Sequence, residues 1–165
     1  MQRSLLALAL AGALGAASAQ NIPETPAWQE LEAPPPPALR TSGLLPLDMP
    51  GSSLRFGVDP ASIQVGADRV VRYVVVVTNP AGGVSGLYEG LRCETAEVKV
   101  YARQNADSGW VPTHAPEWQS LRGTAANRHS MALARSGACS GRLPNVSAAQ
   151  IVRDLRMGTN EKYRN

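Results

Sequence analysis

The sequence is poor in the residues from which recognisable sites are built. It has two cysteines, two histidines and one phenylalanine, and only two of its sixteen basic residues, Lys99 and Lys162, are lysine. Cys93 and Cys139 lie far apart, outside the Cys-x-x-Cys pattern favoured for redox catalysis. With His114 and His129 they make a formal Cys2His2 set, but structural zinc sites bring their ligands in short pairs, and no such pair exists here. No Lys/Arg cluster accompanies the sequence pI of about 9.2, so a nucleic-acid groove, which needs several cations on one face, is not expected. Gly82-Gly83-Val84-Ser85-Gly86 lacks the residue between serine and the second glycine that a nucleophile elbow requires. It also lacks the lysine and helix of a phosphate loop, and reads as a hairpin turn. These absences indicate no metal and no cofactor, and they assign no catalytic residue.

What is present begins at the N-terminus. Arg3, an apolar run from Leu5 to Ala17 and the small residues Ala17 and Ala19 have the form of a secretory leader, with cleavage expected after Ala19. The run is too short and too rich in Ala and Gly to span a bilayer well, which disfavours an uncleaved anchor or a soluble helix. No cysteine sits at the cleavage site, so no lipid anchor can be attached there. Removal of residues 1–19 leaves 146 residues with 15 basic and 13 acidic side chains, a nearly neutral chain of single-domain size. Export places Cys93 and Cys139 where thiols oxidise, and a disulfide is their expected state. It would close a loop that the chain-entropy model values at roughly 3–4.5 kcal/mol.

Residues 20–52 are dominated by proline, with Pro34-Pro35-Pro36-Pro37 at the centre, and are expected to be an extended lead. Trp28, with Leu31, is the exception, a large aromatic that should pin the lead to the folded body. The body is expected over 53–158. Strands are predicted over Leu54–Val58 and Ser62–Val65, both alternating, and over Val70–Thr78, whose β-branched run suits a central strand buried on both faces. Two more follow over Val84–Cys93 and Ala96–Arg103, the latter with Val98, Val100 and Ala102 on one side and Glu97, Lys99 and Tyr101 on the other. Trp110-Val111 opens a short last strand. Pro116 to Gly123 is expected to be a short helix carrying Trp118 and Leu121, and Ala125 to Arg135 a second closed by Gly137. The final helix has Ser147 and Gln150 as a capping box, Val146 and Ile151 at staple positions, a buried face of Ile151, Val152 and Leu155, and Gly158 as its stop. A polar tail over 159–165 completes the chain. The fold class is α+β, an antiparallel sheet of about five strands with C-terminal helices on one face, stapled by Cys93–Cys139.

Glu89, Glu94 and Glu97 lie close in sequence, yet Glu94 and Glu97 have opposite strand parity, so paired-carboxylate catalysis is not indicated. They read as solvated charges or as partners for Arg92 and Arg72. His114 and His129 read as ordinary surface or loop residues. Val70-Val71-Arg72-Tyr73, the stretch from Leu87 to Ala102, Trp110 and Trp118 together resemble the CNP-one-like family, founded on the cryptic neisserial protein. Tyr88-Glu89-Gly90 with Arg92-Cys93, and Lys99 with Tyr101-Ala102, carry most of the similarity, which runs from about Trp28 to Cys139. The resemblance implies an exported one-domain bacterial envelope protein and brings no catalytic residue with it. Members of the family are often thought to be lipoproteins, and this chain departs from that.

The expectation is therefore a soluble periplasmic domain with a non-catalytic binding or structural role toward an envelope protein or cell-wall component. The oligomeric state is left open. The alternative is a small hydrolase using Glu89, Glu94 or His114 as general base, which requires two of these to converge within hydrogen-bond reach in a pocket.

Overall fold

The computed structural model describes residues 27–105 and 108–162; the expected leader lies outside them. In chain order the elements are β1 (Leu45–Leu47), β2 (Arg55–Val58), β3 (Gln64–Val65), β4 (Val70–Thr78), β5 (Val84–Arg92), β6 (Glu97–Asn105), β7 (Val111–Pro112) and β8 (Gln119–Ser120), then α1 (Arg128–Leu133), β9 (Cys139–Ser140), β10 (Leu143–Pro144) and α2 (Ala148–Lys162). Eight strands form one antiparallel sheet in the order β1-β2-β4-β5-β6-β7, with β3 beside β4 and β8 beside β6, and β9 and β10 form a separate pair. The sheet is thus larger than the expected five strands. The additions are pieces of two or three residues, too short to display a period of two.

Strand β4 is buried on both sides, as its β-branched run predicts. A hairpin joins it to β5: Gly82 N donates to Asn79 O, Asn79 N to Gly83 O, and the Asn79 side-chain oxygen accepts from Gly83 N at 2.8 Å. Gly82 sits at φ +85°, which explains glycine there. On one face of the sheet Val71, Tyr73 and Val75 pack with Val58, Leu91 and Val98 against Leu133 of α1 and Ile151 and Leu155 of α2. On the other, Val74, Val76, Tyr88 and Ala102 are covered by Ala33, Leu39 and Leu44 of the lead and by Trp110.

Several local expectations are corrected. Pro116 to Gly123 is not helical: Gln119–Ser120 pairs with β6, and Leu121 N donates to Ala96 O at 2.9 Å. Ala115 turns the chain into this segment at φ +44°. Open backbone groups on β6 draw it into the sheet more strongly than its weak helical pattern holds it together. The next helix is only Arg128–Leu133, followed by a wide turn over Ala134–Ala138 in which Gly137 has φ +133°. A Cβ at Gly137 would lie 2.6 Å from Asp154 Cβ, so glycine also lets α2 approach.

In α2, Ser147 Oγ accepts from Gln150 N at 3.1 Å, but the Gln150 side chain turns forward to Asp154 rather than back to complete the box. Val146 is exposed and makes no staple, whereas Ile151 and Leu155 are buried as expected. The helix runs through Gly158 to Lys162, since a helical glycine costs only about 1 kcal/mol.

Cys93, just after β5, is bonded to Cys139 of β9, with Cα atoms 5.7 Å apart. The bridge ties the segment between the two helices to the end of the sheet. Cys139→Ser should lower stability by roughly 2–5 kcal/mol, read from the denaturant midpoint. Thiol labelling of the unfolded, unreduced wild type should give no adduct, and the variant should be labelled at Cys93.

Candidate functional site

Tyr88, Gly90, Arg92, Lys99, Tyr101, Trp110 and Trp118, all within the segments that carry the family resemblance, belong to a clamp that holds the lead on the sheet. Glu30 is its hub. Its carboxylate accepts from Lys99 Nζ at 2.7 Å, Tyr101 hydroxyl at 2.7 Å and Trp118 Nε1 at 3.0 Å. Burial pushes the Glu30 carboxyl up, but these donors outweigh it and hold it below the ordinary 4.5. Trp28 lies edge-on to Trp118, donates to Asp68 O at 2.8 Å and has the Arg92 guanidinium 3.7 Å over its ring. Trp110 donates to Pro37 O at 2.7 Å and packs edge-on to Tyr88. Gly90 leaves room for the clamp, because a Cβ there would lie 2.4 Å from the Tyr101 hydroxyl.

Beneath the clamp, Arg72 is buried in an ion pair with Asp68 (2.6 and 3.1 Å) and donates to Leu31 O at 2.9 Å. Burial opposes ionisation of Asp68, yet the Arg72 side chain and the Leu31 and Val70 amides lower its carboxyl below 3.8.

Glu89, between Tyr88 and Gly90 in the same motif, faces the helices. It stands opposite Tyr73 in the β4–β5 register and is fully buried. Tyr73 hydroxyl donates to Oε2 at 2.9 Å and Ser130 Oγ to the same oxygen at 3.1 Å. His129 Nε2 lies 2.9 and 3.1 Å from the two oxygens, and a carboxylate offers only lone pairs, so this nitrogen carries the hydrogen. Phe56 stacks flat on the imidazole, with centroids 5.2 Å apart. Burial, reinforced by the Glu89 charge, raises the Tyr73 hydroxyl well above its usual range, keeping it a neutral donor. His129 is therefore a buried residue of a helix, not a surface or loop histidine. In its sequence neighbourhood only Asn127 and Ser130 hint at a polar interior, and that hint is indistinguishable from a loop.

Glu89 and His129 form one wall of a cavity of about 300 Å³ between β5, β6, the 113–119 segment and the start of α1. A bulge in β6 shapes it. Glu89 pairs with Val100 but Tyr88 with Ala102, leaving Tyr101 as the extra residue. Past the bulge the alternation is inverted. Ala102 goes to the lead side instead of joining Val98 and Val100, and Arg103, opposite Leu87, comes to the cavity face.

His114 lines the same cavity, whereas Glu94 and Glu97 flank Arg92 at 4.0 and 3.8 Å elsewhere. No hydrogen bond joins any two of Glu89, Glu94 and His114 among the described residues. The carboxylate that meets an imidazole does so through His129. Ser130 and His129 both donate to Glu89, so the serine hydroxyl is directed at the carboxylate and not at the imidazole. No group of three or more His, Cys, Asp or Glu among the described residues could hold a metal ion, and no described helix is long and apolar enough to cross a membrane.

These features define a disulfide-stapled α+β domain whose sheet is covered by helices on one face and by its own proline-rich lead on the other. The chain belongs to the CNP1-like family, which it matches over residues 23–156. That span takes in the lead and most of α2, beyond the Trp28–Cys139 range visible from motifs. Neither a curated protein nor a solved structure matches the chain.

Two outcomes follow from the hydrogen bonding. Glu30→Gln should cost about 2 kcal/mol near neutral pH. Because the folded Glu30 carboxyl is depressed, its contribution is present above the unfolded value and lost as pH falls through the folded one. The midpoint gap between wild type and variant should therefore be full at about pH 7 and narrow as pH falls below the ordinary carboxylate range. Glu89→Ala, which orphans three buried donors, should cost roughly 3–5 kcal/mol, and Tyr73→Phe, which leaves Glu89 two donors, about 1.5–3 kcal/mol. Urea unfolding of both variants checks the order.

Proposed function

We propose that the chain is exported, processed after Ala19, and acts in the periplasm as a non-catalytic binding domain of the cell envelope whose ligand enters the cavity beside Glu89 and His129. The observation that carries this reading is the saturation of Glu89. Both carboxylate oxygens are engaged by donors from Tyr73, His129 and Ser130. A general base must be able to take a proton from its substrate, and a carboxylate so fully committed is a fixed polar wall instead. Export is supported by the leader pattern and by the Cys93–Cys139 disulfide, which suits an oxidising compartment.

Cell fractionation with N-terminal sequencing should find the chain in the periplasm beginning at Gln20; a cytoplasmic chain that still starts at Met1 would reject export. For binding, a thermal-shift screen of envelope small molecules and cell-wall fragments should give ligands that stabilise the wild type but not Ala126→Trp, which fills the exposed lip of the cavity. Loss of the same ligands from solution by turnover would overturn the non-catalytic reading in favour of a hydrolase.

A further inference from the structure

The cavity presents two opposite charges that do not neutralise each other. Arg103 and Glu117 both line it, and neither makes an ion pair with any described residue. Thr113 is among the cavity's lining residues, and its hydroxyl is shut off from solvent without a hydrogen-bond partner. An unsatisfied buried hydroxyl is unfavourable and marks this wall as one not built for stability alone. The next residues hold the wall in a form that costs energy, since Ala115 is left-handed at φ +44° immediately before Pro116. Such strain in a non-glycine residue gathers at ligand sites.

Arg103 reaches this wall only through the Tyr101 bulge. Without the extra residue, strand parity would send it to the lead side. The volume, about 300 Å³, is at the small end of ligand pockets. Leu87 and Val100 supply an apolar floor beneath the charges.

Resting on the binding role above, we propose that the cavity takes a small zwitterion, a free amino acid or a dipeptide, with its carboxylate on Arg103 and its ammonium on Glu117. Guanidinium and carboxylate make a bidentate pair, which selects a carboxylate over other anions.

Titration of the mature chain, followed by calorimetry, with alanine, dialanine, propionate and ethylamine tests this. Saturable binding of alanine or dialanine is expected, with propionate and ethylamine at least about tenfold weaker. Whichever of alanine and dialanine binds tighter identifies the source. Arg103→Gln and Glu117→Gln alter exposed side chains and should leave folding unchanged. Each should weaken the zwitterion about tenfold or more, while Arg103→Gln leaves ethylamine, and Glu117→Gln leaves propionate, as in the wild type. Propionate binding as tightly as alanine would overturn the proposal in favour of an anion site, and zwitterion binding indifferent to both substitutions would overturn it outright. If alanine and dialanine fail to bind while another envelope molecule binds and is blocked by Ala126→Trp, the zwitterion proposal falls and the binding role stands. If no molecule in the envelope screen binds either, both fall.

Discussion

Val71, Tyr73 and Val75 leave β4 on one side and Arg72, Val74 and Val76 on the other, and the chain keeps water from both. Strands buried on both faces are ordinary in parallel sheets, where crossover helices lie on each side, but this sheet is antiparallel and the α-helices among the described residues come only at the C-terminal end. They can cover one face. The second is covered by the proline-rich lead together with Trp110. Proline suits the task because an extended segment with few amide donors can lie over a sheet without needing a ladder of its own. Until β1 joins the sheet its order then depends on side-chain attachments, which is why Glu30, Trp28 and Trp118 matter so much to the fold.

The two faces show two ways of burying charge. On the lead side, Glu30 with Lys99 and Asp68 with Arg72 are opposite charges brought together, and their carboxyls are held low by the donors around them. On the helix side, Glu89 has three donors with Phe56 closing over its histidine. Buried groups of this kind contribute little net stability but penalise any alternative packing that breaks them. They therefore set the register of α1 against β4 and β5 and the position of the lead against β6. The bulge at Tyr101 connects the two faces. Tyr101 shares the lead side with Lys99 by ordinary alternation, and the bulge it makes sends Arg103 to the cavity, so a residue of the lead's attachment is also the one whose insertion shapes the opposite wall.

Some of this was legible in the residues alone. The β-branched run of β4 predicts its span and its burial on both faces, the Asn79–Gly83 turn predicts the hairpin, and the spacing of Ile151 and Leu155 predicts the buried face of α2. Trp28, a large aromatic among prolines, signals an attached lead. These are local or strictly periodic properties, and periodicity survives in sequence because every turn or pleat repeats it. Elements of two or three residues, such as β1 and β8, have no room for a period, and Pro116 to Gly123, which contains β8, reads as a helix for the same reason.

What the sequence by itself determined is therefore the class of fold, the central hairpin, the last helix and the cysteine pair. Tertiary structure decided which residues meet. Glu30 and Trp118 are far apart along the chain, as are Glu89 and His129, and no local preference of either partner specifies the other. Residue spacing likewise could not reveal the bulge at Tyr101, because a single inserted residue changes the face of everything after it while leaving the composition of the strand unchanged. The site consists of such long-range pairings. They form because a buried donor or acceptor must find a partner, and which partner is within reach depends on the packing of the whole domain.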